Sequence, residues 1–126
     1  MTGTDGAEAA LTVRRITLPD AVVVTAAGEL DLATAPALRR HALAALDRRP
    51  PALIVDLDGI RFCGSAGLQV LAELVSATGG AGLPFAVVTG RPAVLRTIRL
   101  TRLDAALSLH PTVDRARTWF RDRPDR

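Results

Sequence analysis

Phe62-Cys63-Gly64-Ser65-Ala66-Gly67-Leu68 is the stretch on which the fold turns. Ahead of it, Leu53-Ile54-Val55 is an apolar, partly β-branched run of the kind that fills a strand covered on both faces. Behind it, Leu68, Leu71, Ala72 and Val75 recur at helical spacing as far as Gly79-Gly80. These patterns predict a buried strand over 52–57, a tight turn, and a helix over 66–78. Ser65 lies where the turn enters the helix. Serine is a favoured N-cap, so capping alone accounts for the residue type. Gly64 and Gly67 leave little bulk around the hydroxyl, which gives a large group room to approach the backbone. A phosphate on that hydroxyl would face the free amides and positive dipole end of a helix N-terminus. The pattern is that of a switch site rather than a catalytic one.

Outward from this centre, strands and helices alternate. Leu11 to Leu18 and Ala21 to Ala27 read as two strands joined at Pro19-Asp20, a turn dipeptide. Gly28-Glu29-Leu30-Asp31 leads through Ala33-Thr34 to Pro36, a good first-turn residue, and a helix whose apolar face is Leu38, Ala42, Leu43 and Leu46. Pro50-Pro51 stops it. After the central helix, Gly79 to Gly82 is expected to break the chain before a strand at Phe85 to Val88. Arg91-Pro92 opens a third helix through Val94, Leu95 and Ile98, and a short strand is expected around Leu107-Ser108-Leu109. Thr112 reads as the N-cap of a last helix carrying Val113, Ala116, Trp119 and Phe120. The order predicts an α/β fold with a mixed sheet of four to five strands, about four helices and an N-terminal β-hairpin. Residues 1–10 read as a flexible lead, 11–120 as one domain and 121–126 as a tail.

Composition bounds the function. A chain of 126 residues suffices for one core, burying roughly 65–70% of the unfolded surface. Apolar content of 48% excludes a disordered tail, and with so few aromatics the core must be aliphatic. No basic segment followed by an apolar run opens the chain, so no signal peptide is expected. No apolar run approaches the ~18 residues of a membrane span. One cysteine forms no internal disulfide, which suits a reducing compartment. Lysine is absent and arginine takes its place throughout, the bias expected of GC-rich bacterial coding. The net charge of +3 is small, and the arginines read as scattered among acids, as in Arg117…Arg121-Asp122-Arg123. Nucleic-acid binding would want them gathered on one face with stacking aromatics, so it is not expected.

The order of elements resembles the STAS domain, and within it the bacterial anti-sigma factor antagonists. Gly28-Glu29-Leu30-Asp31 resembles the family's Gly-Glu-Leu-Asp at the end of the second strand. Val55-Asp56-Leu57…Phe62-Cys63-Gly64-Ser65-Ala66-Gly67-Leu68 is similar to its strand, loop and phospho-switch, usually Asp-Ser-Ser-Gly-Leu. Thr112-Val113-Asp114-Arg115-Ala116 looks like the start of its closing helix. The resemblance implies a cytoplasmic partner switch in stress-responsive transcription. Unphosphorylated antagonist binds an anti-sigma factor, often a serine kinase, and frees a sigma factor for RNA polymerase. The kinase phosphorylates the switch serine with ATP, and a phosphatase resets it. On this chain Ser65 takes the phosphoacceptor position, and the partner closes over Gly64, Ser65, Ala66 and Gly67. The implied protein is a monomer or weak homodimer with no cofactor. Three residues depart from the family pattern: Gly64 for the usual acid, Ala66 for the second hydroxyl residue, and Arg102 for a small glycine near Leu103.

Other side chains carry competing readings. Glu29 and Asp31 are turn formers or rim contacts for the partner; Asp31 is favoured as a contact because the family's surface includes this loop. Arg61 precedes the switch loop, where it would steer an acidic partner. Asp56 and Asp58 alternate at a strand end, as paired carboxylates holding magnesium or as acceptors for loop amides. Cys63 reads as a small core hydrophobe rather than a nucleophile. His41 on a helix and His110 in a loop read as surface histidines, and Trp119 and Phe120 as pins of the last helix. A hydrolase reading is testable: Ser65…Asp104…His110 follows one known triad order. It fails because Cys63 stands where Gly-x-Ser-x-Gly needs glycine, and an enzyme is not expected. The remaining alternative is a STAS module of another assembly, a sensory scaffold or lipid-transport complex, without a phospho-switch.

Overall fold

The computed structural model describes residues 10–122. The expected lead over 1–10 and tail over 121–126 lie outside the described residues, except for Ala10, Arg121 and Asp122. One five-stranded sheet runs in the order β1 (Leu11–Thr17), β2 (Val22–Leu30), β3 (Leu53–Cys63), β4 (Phe85–Val88), β5 (Leu109–His110). β1 and β2 form an antiparallel hairpin, and every later pairing is parallel. The intervening helices are α1 (Ala35–Asp47), α2 (Ser65–Ala81), α3 (Pro92–Leu100) and α4 (Val113–Arg121), with a 3-10 turn at Leu103–Ala105.

The core has two parts because the sheet is covered on both faces. On one face Val22, Val24, Leu53, Val55 and Leu57 meet Leu38 and Ala42 of α1, Leu71 and Leu74 of α2, and Val94 and Ile98 of α3. On the other, Val23, Ile54, Ala86 and Val88 pack under Ala116 and Phe120 of α4. Alternation along β2 and the start of β3 therefore sends both parities into apolar surroundings. That is why Leu53-Ile54-Val55 carries no polar residue.

Three boundaries differ from the expectation. The central strand does not stop at residue 57 but runs through Asp58-Gly59 to Cys63. It does so through two irregularities against β2, between Thr25 and Ala27 and between Gly28 and Glu29. Each gives β3 one extra residue and resets its phase. Leu57, Ile60 and Cys63, three apart rather than two, thus all reach the same core. The helix after the serine continues through Gly79 and Gly80 and ends only at Gly82, left-handed at φ +66. Ala72 lies on its exposed face, while Val70, Leu74 and Thr78 join the buried one. The last strand falls at Leu109–His110, which moves His110 from a loop into the sheet.

Two anchors tie the ends of the chain down. Thr112 caps α4 as expected, its Oγ1 accepting from the Arg115 amide at 3.1 Å. Arg117 of α4 donates from Nε to both oxygens of Asp20, in the β1–β2 turn, at 3.0 and 3.1 Å. That bond, with Arg121 beyond it, holds the Asp20 carboxyl below the ordinary carboxylate range. A depressed folded value means the contribution is present above the unfolded pKa, about 3.9, and is lost as pH falls through the folded one. Asp20→Asn is therefore expected to lower stability at neutral pH. The gap from wild type should close as acid titration passes below the folded value, read by urea melts across pH.

The glycines of α2 divide by environment. A Cβ on Gly67 would sit 2.7 Å from Leu30 Cγ and Cδ2 and 3.0 Å from Cys63 Sγ, while nothing lies within 4 Å of one on Gly79. Gly67→Ala is expected to destabilise by about 1–3 kcal/mol through overpacking. Gly79→Ala should stabilise by about 0.5–1 kcal/mol through reduced backbone entropy. Denaturant midpoints moving in the same direction for the two variants would contradict this packing.

Candidate functional site

The site is built at the carboxyl end of β3. Cys63 is the last residue of the strand and pairs with Leu30 of β2. The Gly64 amide extends that ladder by one bond, donating to the Leu30 carbonyl at 2.9 Å. Gly64 is then the N-cap of α2 in extended geometry, and its own carbonyl accepts from Gly67 and Leu68 at 3.1 and 3.2 Å. Ser65 is not the cap but the first residue of the helix. Its side chain is exposed and makes no hydrogen bond among the described residues. Because Gly64 has no side chain to offer, the first amides of α2 and the positive end of its dipole stand uncapped beside the Ser65 hydroxyl.

The two glycines do different work from that expected. Gly67 is buried, and the space beside its Cα is filled by Leu30 and Cys63, so it seats the helix rather than opening the surface. Gly64 is half-buried, and a Cβ there would meet the Phe62 ring at 3.3 Å. Ala66 is half-buried on the side facing α1.

The β2–α1 loop lies beside the Gly64–Ser65 turn because Glu29 and Leu30 register with Phe62 and Cys63. Asp31 forms that loop: its Oδ1 accepts from the amides of Ala33 and Thr34, both at 3.0 Å. The Thr34 hydroxyl closes the turn, accepting from the Asp31 amide at 2.9 Å and donating to the Glu29 carbonyl at 2.8 Å. Turn formation therefore occupies Asp31, whatever else it touches. Glu29 is exposed and faces Arg61 across the two strands at 3.9 Å, an ion pair too open to contribute much stability.

Two apolar residues that sequence reasoning passed over are exposed at neighbours of Ser65: Phe62 lies against the Gly64 position and Leu32 shares a groove with Ala66. Leu32 is 83% exposed and Phe62 is 53% exposed, on either side of the paired strand ends. Leu32, Ala35, Pro36, Ala66, Gln69 and Val70 line a groove of about 340 Å³ between α1 and α2, where Arg39 and Glu73 join at 2.9 Å. The signal was local: Leu32 lies between Asp31 and Ala33 in the turn that follows β2, two residues past the buried Leu30.

Elsewhere the titratable groups find structural partners. Asp56 Oδ1 accepts from the Asp58 amide at 3.0 Å, and Asp58 Oδ1 from the Gly90 amide at 2.8 Å. The two carboxylates are thus loop acceptors, and burial above all pushes the Asp56 carboxyl up. Among the described residues no three metal-capable side chains come together. Burial pushes the Cys63 thiol up to about 11, which leaves it unreactive at neutral pH. His41 is exposed on α1. His110 is not a plain surface histidine. Its Nε2 lies 2.8 Å from Ser108 Oγ, its ring meets Trp119 at 5.3 Å, and burial with Arg115 nearby lowers its pKa. Phe120 pins α4 to the sheet as expected, whereas Trp119 stays at the surface beside His110. With His110 engaged to Ser108, no hydrogen bond links Ser65, Asp104 and His110.

The STAS domain profile matches residues 12–116. The chain is 35% identical over 114 residues to the anti-sigma-F factor antagonist RsfB of Mycobacterium tuberculosis, covering 82% of this chain and 93% of that protein. The crystal structure of an anti-sigma factor antagonist from Mycobacterium paratuberculosis superposes with a TM-score of 0.81 at 39% identity, over 89% of this chain and 95% of that one. The murine anion transporter Solute Carrier 26 family member A9 superposes with a TM-score of 0.74 at 20% identity, over 86% of this chain but 19% of its own, a likeness of fold alone. Helix positions, strand order and sequence thus agree, and the chain belongs to the STAS domain family.

Proposed function

We propose that this protein is an anti-sigma factor antagonist. It binds an anti-sigma factor that is also a serine kinase, through the surface around Ser65, and so releases a sigma factor. Phosphorylation of Ser65 by that kinase breaks the complex, and a phosphatase restores it. The observation that carries this reading is the position of Ser65. It is an exposed hydroxyl without a hydrogen bond among the described residues, at the positive end of α2, and the exposed Phe62 and Leu32 lie against its neighbours Gly64 and Ala66. Identities of 35% and 39% to antagonists over most of both chains favour this over a transporter module, which shares the fold alone.

The energetics follow from the geometry. A phosphate adds ~−1.5 to −2 charge and three acceptor oxygens. On an already exposed side chain it displaces nothing of the protein's own core, and the helix end beside it is positive. Inside a closed interface the same group brings bulk and desolvated charge. A penalty of ~3–4 kcal/mol weakens binding roughly a hundred- to a thousandfold, at ~1.4 kcal/mol per decade. Glu29, Asp31 and Arg61 form the rim of the contact, with Gly64, Ala66 and Gly67 beneath it. The absence of an acid at Gly64 removes one charge a kinase would read and lets the Phe62 ring lie close to the cap.

The test uses a histidine-kinase-like ATPase domain recovered with the protein from cell extract. Ser65→Ala is expected to bind it like wild type and to stay bound when ATP is added, while wild type dissociates. Ser65→Glu should bind at least tenfold more weakly with an unchanged melting temperature. Dissociation of the alanine variant by ATP, or wild-type affinity of the glutamate variant, refutes the assignment of Ser65.

A further inference from the structure

The positive charge of this protein is not spread evenly. Residues 91 to 103 contain Arg91, Arg96, Arg99 and Arg102 and no acid. Without these four, the chain carries twelve cations against thirteen acids, a net −1. The expectation of arginines interspersed with acids therefore fails at α3, where the next acid along the chain is Asp104. Arg91 is engaged, donating from Nε to the Asp58 carbonyl at 2.6 Å. Arg96, Arg99 and Arg102 are exposed and form no ion pair among the described residues.

An apolar residue lies among them. Leu100 is 78% exposed, and with Pro92, Leu95, Arg96 and Arg99 it lines one open hollow. The helix macrodipole accounts for Arg99 in the last turn of α3 but for neither Arg96 nor the bare leucine. Arg102 is held in the left-handed region at φ +62, a conformation that costs a residue with a Cβ and is free for glycine. An exposed arginine in a strained backbone conformation thus follows two residues past the end of α3.

We propose that the outer face of α3 is a second docking surface, for an acidic protein segment that places an apolar side chain over Leu100 and carboxylates against Arg96, Arg99 and Arg102. Guanidinium groups pair with carboxylates through parallel hydrogen bonds, and the fit is strongest where apolar contact excludes water around them. A lipid surface fits less well, because α3 turns its apolar face, Val94 and Ile98, into the core and leaves chiefly one leucine outside. Nucleic acid also fits less well, since α3 has no aromatic side chain for base stacking.

The probe is a fluorescein-labelled peptide alternating glutamate and leucine, titrated with the full chain and followed by anisotropy. Parallel arms use phosphatidylglycerol vesicles and duplex DNA. Saturable peptide binding is expected, weakened about tenfold both by Arg96→Glu combined with Arg99→Glu and by Leu100→Ser, a change of ~1.4 kcal/mol. Arg102→Gly should weaken binding severalfold while raising the melting temperature, the opposite of what a general loss of structure would do. The melting curve of Leu100→Ser should match wild type, because the side chain is exposed, and that of the double arginine variant should fall only slightly, because Arg99→Glu sets a carboxylate at the negative end of the α3 dipole. Absence of peptide binding, wild-type affinity in Leu100→Ser, or tighter arginine-dependent binding to vesicles or DNA overturns the proposal. Ser65 takes no part in the assay, so its outcome is independent of the switch.

Discussion

The close fit of Leu30 against Gly67 and Cys63 is the constraint on which the rest of the site depends. Leu30 ends β2, Cys63 ends β3, and Gly67 lies in the first turn of α2. A Cβ at Gly67 has no room beside the Leu30 side chain, so the helix can approach the strand ends closely only with glycine there. The backbone closes the same junction, through the Gly64 amide on the Leu30 carbonyl and through the Gly64 carbonyl on the amides of Gly67 and Leu68. With Cys63 turned in and Gly67 pressed down, Ser65 between them is left facing out. Exposure of the hydroxyl is thus a consequence of packing two residues to either side of it.

The long third strand supplies the second element of the design. A regular strand of eleven residues would have alternated between the two faces and sent Ile60 away from the core that holds Leu57. Two extra residues against β2 restore the phase each time, so that Leu57, Ile60 and Cys63 all point into the α1–α2 side. The same irregularities bring Glu29 beside Phe62 rather than beside Arg61. They also explain the glycine at 59, where a Cβ would press on Ala27 Cβ at 2.8 Å. The Ser65 turn and the β2–α1 loop therefore arrive side by side, although 32 residues lie between Leu30 and Cys63 in sequence.

Much of this was legible before any coordinates. Leu53-Ile54-Val55 announced a strand buried on both faces, and the spacing of Leu68, Leu71 and Val75 announced the helix that follows. Thr112 was readable as a cap because a hydroxyl three residues before a free amide has one obvious use. What could not be read depended on partners distant in sequence. The apolar run ends at Leu57, and only the pairing with β2 carries the strand on through Asp58-Gly59 as a bulged one. Gly79 and Gly80 look like a break, but α2 carries six buried positions and docks well enough to continue through them until Gly82 takes the left-handed form. Gly67 looked like open space because nothing local says that Leu30 will fill it. The exposed Leu32 and Phe62 went unnoticed for the converse reason: pattern reading assigns an apolar residue to the core by default.

The division of labour on the surface follows from how rigid the base is. Ser65 sits on a helix whose first turn is locked to two strands, so a charge added there has no loose segment to rearrange. Its effect must fall on whatever covers the site, and a change of one side chain can then act on association without touching the fold. The cationic face of α3 shares this property, since Val94 and Ile98 fix that helix in the same core. Neither surface has slack through which to move the other. Contacts made at each therefore add as independent binding energies unless a single partner spans both, in which case the loss of one site leaves the partner tethered by the other.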